Sequence, residues 1–163
     1  MAQLRENQYH DSMIDIHSVD VWQQLSVIID ASIAAFLGSL IGWERDRAGK
    51  SAGPRTMALV GSASAAIVAI GAIVGETSGY GDPTRALHAI ITGIGFLGAG
   101  LIFTDKRSKG IQGVTTAATV FSTAAVGVAV GLGFQIAGVG LTVIILIILR
   151  STQVIEKSIN RSI

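Results

Sequence analysis

Residues 25–43, LSVIIDASIAAFLGSLIGW, form the first of several long apolar stretches, and they decide what kind of fold this chain adopts. The stretch contains one charged residue, Asp30. A helix needs about 20 apolar residues to cross the hydrocarbon core of a bilayer. A surface helix of a water-soluble domain carries charges along its outer face, whereas this stretch is apolar all round. We therefore predict a membrane-spanning helix.

Four further stretches of similar length repeat this pattern, and none of them contains Asp, Glu, Lys or Arg. They are residues 57–75, 86–103, 114–131 and 134–149. The sequence predicts an all-α, polytopic membrane protein with a bundle of five transmembrane helices. We expect three parts along the chain, which are a polar N-terminal tail (1–23), a transmembrane domain (24–150) and a short C-terminal tail (151–163).

The composition also indicates a membrane protein. Half of the residues are hydrophobic and only 14% are charged, whereas a typical soluble domain is about 25% charged. The chain has no cysteine, which excludes disulfides and thiolate metal sites. Its basic residues lie in the segments between the spans, so we expect the lipid bilayer, and not nucleic acid, as its partner.

The basic residues predict an orientation in the membrane. Ten of the twelve follow the first, third or fifth span, and only Arg5 and Arg85 lie on the other side. Because Lys and Arg concentrate in cytoplasmic loops, we expect the N-terminus outside and the C-terminus in the cytoplasm. The first 22 residues are polar, so we expect a retained first span and no removable signal peptide.

Glycine spacing predicts close helix packing. Small residues four apart let helices approach closely in lipid, where apolar burial does not drive them together. The candidate packing glycines are Gly38, Gly42, Gly93, Gly95, Gly98, Gly100, Gly127 and Gly131. The run from Gly93 to Gly98 also matches a dinucleotide-binding pattern, but it lies inside an apolar span with no strand before it and no acidic residue at the required distance.

Asp30 is the first candidate functional residue. A carboxylate in hydrocarbon is costly, so it would face the bundle interior and serve a cation or proton path. The alternative is that the span starts later and that Asp30 lies in the hydrated headgroup region. The residues alone leave both interpretations open.

Other polar candidates lie at the ends of the spans. Each has an ordinary structural alternative, because charged side chains at a span end extend to water and hydroxyls near a helix start bond to backbone groups. Glu44 is placed where it could meet Arg55 across the first inner hairpin. The full set at span ends is Glu44, Arg45, Arg55, Thr56, Asp82, Arg85, Thr115 and Thr116.

The pattern of polar residues predicts no enzyme and no resident cofactor. The three histidines are scattered, and no nucleophile has a base and an orienting partner nearby. A Mg²⁺ site would use oxygen ligands and keep several waters, so it would leave little trace in a sequence. Mg²⁺ therefore remains a candidate as a transported or sensed ion.

Three long segments carry a family resemblance. They are FLGSLIGWERDRAGKSAGPRTMALVG (36–61), DPTRALHAIITGIGFLGAGLIF (82–103) and GIQGVTTAATVFSTAAVGVAVGLG (110–133). On these segments the chain resembles the MgtC/SapB family of bacterial inner-membrane proteins, over about residues 25–150. The family's Glu-Arg, Arg-Thr, Asp-Pro and Thr-Thr elements match this sequence, with Val114 where leucine is usual. Because of this resemblance, we weight a functional role for the span-end residues above the structural alternatives. The resemblance does not say what each role is.

The resemblance implies two functions from different classes. The first is a Mg²⁺ or other cation transporter component in the bacterial inner membrane, in which a homo-oligomer would multiply the few carboxylates of one chain. The second is a regulatory protein that binds another membrane complex such as the ATP synthase. Several members, including virulence-associated ones, continue into a soluble C-terminal domain, which we do not expect here because the sequence ends soon after the last span.

Overall fold

The computed structural model describes the backbone of residues 20–78, 84–105 and 110–159, and the side chains of these residues except 76–78, 105 and 152–159. Five helices lie in the described part, with one short hairpin between the third and the fourth. The elements are α1 (Val21–Arg47), α2 (Pro54–Ser78), α3 (Thr84–Leu101), β1 (Phe103–Asp105), β2 (Gly110–Gln112), α4 (Val114–Gly131) and α5 (Gln135–Ile159).

The five helices confirm the all-α fold, since each contains one of the predicted apolar stretches or nearly all of it. The helices α1 to α4 are long and apolar enough to cross a membrane, and α5 has a shorter apolar part, Gln135–Ser151. The helix α1 has 27 residues, which at 1.5 Å per residue makes it about 40 Å long. It is therefore longer than the roughly 30 Å hydrocarbon core.

Two helix starts follow ordinary capping rules. Asp20 precedes α1 in a capping box with Gln23, which satisfies backbone N–H groups that have no acceptor within the helix. Pro54 opens α2, a position where its missing N–H costs nothing. The predicted N-cap of α3, Asp82, lies outside the described residues.

The sequence analysis placed the end of the third span at Phe103 and missed the hairpin after it. The helix α3 ends at Leu101, and β1 pairs antiparallel with β2, with Thr104 opposite Ile111. Gly113 follows β2 with a φ of +87°, and a Cβ at this position would run into the backbone of Leu101. Only glycine fits here, because it has no Cβ and accepts positive φ. This turn brings the start of α4 against the end of α3.

Glycines bring α2 into contact with both α1 and α4. A Cβ on Gly42 would lie 2.6 Å from the Cα of Pro54, and one on Gly38 would overlap the carbonyl of Met57. One turn further along α2, a Cβ on Gly127 of α4 would overlap the carbonyl of Gly61. These backbones touch directly, which is the kind of contact that holds helices together in lipid.

The helix α4 is the most buried of the membrane-length helices. Two apolar clusters include its side chains. One joins α4 to α1, α2 and α5, and its members are Ala34, Leu37, Ile41, Ala65, Val126, Val130 and Leu149. The other joins α4 to α2 and α3, and its members are Met57, Val68, Ile90, Ile94, Val120 and Ala124.

The helix α3 lies at the edge of the bundle. Phe96 is 80% exposed, and a Cβ added at Gly93, Gly95 or Gly100 would meet nothing within 4 Å. Gly98 differs, because a Cβ there would be in ordinary contact with Ala117. An apolar groove of about 440 Å³ lies along one side of the contact between α3 and α2, and its lining includes Leu59, Ile67, Ile90 and Leu97.

Candidate functional site

Arg45 is the one charged side chain that is buried among the described residues, at 4% exposure. It lies two residues before the end of α1, where the sequence changes from apolar to charged. Its neighbour Glu44 is less buried and lines a separate surface groove with Trp43 and Arg47. Successive side chains on a helix point about 100° apart. Arg45 and Glu44 therefore face different surfaces of α1, and Glu44 lies on the side of the groove with Trp43 and Arg47.

The Arg45 guanidinium contacts the hydroxyl of Thr116, which in turn contacts the hydroxyl of Ser51. Its Nη2 atom donates to Thr116 Oγ1 at 3.3 Å, and Ser51 Oγ lies 3.4 Å from the same oxygen. The Nε atom of Arg45 is buried and has no hydrogen-bond partner among the described residues. Thr116 is itself 4% exposed, whereas Thr115 beside it is exposed. The two threonines predicted as candidates therefore differ, because Thr116 is buried against Arg45 whereas Thr115 is exposed.

A pocket of about 520 Å³ opens beside this cluster. Its polar lining residues are Arg45, Lys50, Ser51, Gln112, Thr115 and Thr116, and its apolar ones are Phe103, Ile111, Val114 and Leu149, with Gly49 and Gly113 completing it. None of these lining residues is Asp or Glu, and two are cationic. The pocket therefore has a positive charge with no carboxylate in its described wall.

The first turn of α4 forms one side of the pocket. Its N-cap, Gly113, has no side chain to accept a hydrogen bond. The bond from the N–H of Ala117 to the carbonyl of Gly113, at 2.8 Å, closes the first turn. The N–H groups of residues 114–116 come before that bond and have no acceptor within the helix. The helix dipole adds partial positive charge at the same end.

Arg55 and Thr56 lie outside this cluster. Both are exposed at the start of α2. The ion pair predicted between Glu44 and Arg55 is not among the contacts of the described residues. Arg47 instead lies over the ring of Trp43, 4.9 Å from the ring centroid, so the charges at the end of α1 face different surfaces.

Asp30 lies at the opposite end of the bundle. Gln135 Nε2 donates to Asp30 Oδ1 at 3.2 Å, and Gln135 is the first residue of α5. Asp30 is therefore level with the short turn between α4 and α5, and it is partly exposed. Fifteen residues of helix separate it from Arg45, or about 22 Å. Asp30 and Arg45 therefore lie far apart along α1.

The remaining predicted polar residues do not form a metal centre in the part of the chain that the structure describes. Arg85 is exposed, and the Nδ1 atom of His88 lies 2.8 Å from the carbonyl of Thr84 in its own helix. No group of three or more His, Cys, Asp or Glu side chains comes together there. Asp82 lies outside the described residues.

The sequence analysis missed Lys50, Ser51 and a line of buried hydroxyls on α4. Thr119 and Thr123 continue the face of Thr116 and are buried, and Ser64 on α2 is buried as well. Thr119 Oγ1 donates to the carbonyl of Thr115 at 2.7 Å, and Thr123 Oγ1 donates to that of Thr119 at 2.9 Å. The three-and-four spacing of these threonines was the available signal, because it places them on one helix face.

Comparison with known proteins identifies the family. A sequence model of the MgtC family matches residues 32–158, which includes α1 from its twelfth residue onward and nearly all of the other elements. The chain belongs to the MgtC family. This confirms the resemblance drawn from the Glu-Arg, Asp-Pro and Thr-Thr elements.

Several named proteins are similar to this MgtC-family chain. Protein MgtC of Brucella abortus is 44% identical over 114 residues, covering 69% of this chain and 46% of that protein. The protein named "Putative magnesium transporter YhiD" of Escherichia coli K12 is 39% identical over 128 residues, covering 76% of this chain and 59% of that protein. An uncharacterized protein of Haemophilus influenzae is 34% identical over 135 residues, covering 79% and 56%.

The MgtC-family chain spans about half the length of these curated relatives. No solved structure matches it. Family membership and the apolar helices together establish a membrane protein of the MgtC family.

Proposed function

We propose that this chain is an inner-membrane protein of bacterial magnesium homeostasis and a component of a Mg²⁺ transporter. The similarity to the YhiD protein, whose name refers to magnesium transport, supports the ion. Its similarity to MgtC of Brucella abortus supports the same family context. The bacterial inner membrane is the location that this proposal requires.

The structural observation that carries the proposal is the chemistry of the bundle interior. Every buried polar side chain of the described residues other than Arg45 is a serine or a threonine. Mg²⁺ takes only oxygen ligands and keeps several of its waters. Hydroxyl oxygens can accept hydrogen bonds from such waters. The proposed lining of the ion path is the face of α4 with Thr119 and Thr123, beyond the contact of Thr116 with Arg45.

One chain supplies only part of such a path. Thr119 and Thr123 are about 6 Å apart along α4, whereas the hydrocarbon core is about 30 Å thick. Beyond Thr123 the buried face of α4 continues with Val126 and Val130. We therefore propose a homo-oligomer in which further copies or a partner complete the path, with Asp30 at its outer end.

Flux measurements test this proposal. Purified protein in liposomes loaded with a Mg²⁺-sensitive dye should admit Mg²⁺ faster than protein-free liposomes. Thr123→Val and Asp30→Asn should each lower the rate, because they remove a buried hydroxyl and the outer carboxylate. Thr92→Val is the matched control, since Thr92 is exposed on α3 and bonds only to its own helix. Wild-type protein without flux would refute the transport function.

We propose as a second candidate a regulator that binds another membrane complex such as the ATP synthase, with α3 at the edge of the bundle as its contact surface. A partner helix could approach closely at Gly93 and Gly100, because no described residue covers them. In this case Gly93→Leu should abolish the effect of the protein on ATP-driven proton pumping in inverted vesicles. Leu141→Ala is the control, since it changes an exposed residue of α5. Pumping that is the same with and without the wild-type protein would refute this candidate.

A further inference from the structure

We propose that the pocket beside Arg45 is a binding site for a phosphate-bearing anion. This inference does not depend on whether the chain carries Mg²⁺. It rests on the burial of Arg45, on the charge of the pocket wall and on the donors that face the pocket.

The first step is the incompletely bonded guanidinium. Glu44, the preceding residue on α1, attracts Arg45 electrostatically, but it lines a different groove and does not accept from Nε. A buried guanidinium is costly unless it is paired with an anion and fully hydrogen-bonded. Arg45 is 4% exposed, one of its nitrogens donates to the neutral hydroxyl of Thr116, and its Nε has no partner in the described structure. No Asp or Glu is among the residues that line the pocket. An anion in the pocket would supply the missing acceptor and a negative charge on the pocket side of the guanidinium.

The second step is the set of donors. Lys50 supplies a second cation, Ser51 and Thr115 supply hydroxyls, and the first turn of α4 supplies N–H groups without intrahelical acceptors. Arginine, hydroxyls and a helix N-terminus are the groups that proteins combine to hold phosphate. The same wall disfavours a bare divalent cation, because two positive side chains and a positive helix end would repel it.

The third step is the size and the mixed lining of the pocket. Its volume of about 520 Å³ is many times the roughly 30 Å³ share of one water molecule, so it can hold more than inorganic phosphate. Phe103, Ile111 and Leu149 make part of the wall apolar. The chemistry is therefore that of a phosphate ester, whose source is a phospholipid headgroup or a soluble phosphate compound.

Calorimetry and native mass spectrometry on the full chain in dodecyl maltoside test the site and distinguish the sources. Inorganic phosphate and a soluble phosphate monoester, glycerol 3-phosphate, are titrated in one arm. Retention of added phosphatidylglycerol is measured in the other. Saturable binding in the first arm supports a soluble ligand, and lipid retention without saturable binding in the first arm supports a headgroup.

Variants decide whether the bound anion occupies this pocket. Lys50→Gln and Ser51→Ala alter exposed residues and should each weaken binding several-fold, while Arg45→Gln should weaken it about tenfold or more, the equivalent of about 1.4 kcal/mol. Arg47→Gln is the control, because Arg47 lies in the groove with Trp43 and not in this pocket, and it should bind as the wild type does. The proposal is overturned if neither arm detects binding at millimolar ligand, or if Lys50→Gln and Ser51→Ala both bind like the wild type.

Discussion

The Nη2 atom of Arg45, near the end of α1, lies 3.3 Å from the hydroxyl oxygen of Thr116 in the first turn of α4, although 71 positions separate the two residues in the sequence. Both side chains are 4% exposed. This bond joins two helices that meet at the predicted cytoplasmic end of the bundle. It also holds the guanidinium at the wall of the pocket, so one contact both links α1 to α4 and positions a charge of the candidate site.

Thr116 and Thr115 form a matched pair for testing that contact. Thr116→Val removes the acceptor of a buried charged donor, so we expect a loss of about 1–3 kcal/mol in the free energy of unfolding. Thr115→Val alters an exposed residue and should change it by no more than about 0.5 kcal/mol. Thermal unfolding of both variants in detergent measures the difference. Equal midpoints for the two would show that the Arg45 contact contributes nothing to stability.

The packing of α4 against α2 predicts that alanine substitutions at Gly127 and at Gly95 have different effects on stability. A Cβ at Gly127 would lie 2.9 Å from the Cβ of Ser64 and would overlap the carbonyl of Gly61. Gly127→Ala should therefore push the helices apart and cost about 1–3 kcal/mol. Gly95→Ala adds a methyl group to open space on α3 and should leave the unfolding midpoint the same or raise it, since alanine favours helix. A midpoint for Gly127→Ala at or above that of Gly95→Ala would contradict the observed helix contact.

Substitutions at two glycines with positive φ can distinguish the cost of backbone strain from the cost of steric overlap. Gly133 has a φ of +84° and a Cβ added there would meet nothing within 4 Å, whereas Gly113 has a φ of +87° and faces the backbone of Leu101. Gly133→Ala should cost only the strain of a left-handed residue, about 1–2 kcal/mol. Gly113→Ala should cost more, because α3 and α4 must also move apart. Protein yield and unfolding midpoint rank the two variants, and the reverse order would show that the turn at Gly113 is not as described.

Orientation can be tested with single cysteines, because the natural chain has none. Lys50→Cys should react with a membrane-impermeant maleimide only from the cytoplasmic side, and Gly133→Cys only from the outside. Both positions are exposed. Phe96→Cys should resist the reagent from either side, because α3 turns this residue toward lipid in the proposed arrangement. Labelling of Lys50→Cys in intact spheroplasts would invert the predicted topology.

Hydropathy alone was enough to find the helices, because each span must be apolar along nearly its whole length. It could not find the hairpin between α3 and α4. Its strands have three residues each, too few for an alternating pattern to stand out. The chain leaves the helix at Leu101 while the sequence is still apolar through Phe103, so the end of α3 is set by strand pairing and by the turn at Gly113.

The candidate site was only partly predictable. Arg45 was selected as one of several charged residues after the first span, but the sequence could not tell that Arg45 lines the pocket while Glu44 lines a different groove. That choice depends on the rotation of α1 against α4. The glycines show the same limit, because Gly93 and Gly127 look alike in sequence while only Gly127 faces another backbone. The spacing of glycines predicts which helix face they share, but only the packing of the helices shows which element covers that face.

The apolar groove between α2 and α3 has a consequence for the protein in its native surroundings. No protein side chain among the described residues fills its roughly 440 Å³, and hydrocarbon does not leave such a channel empty, since an unfilled wall forfeits its dispersion contacts. Fatty-acyl tails of the bilayer therefore become part of the packing between these two helices. We therefore expect the position of α3 to respond to the length and saturation of those tails.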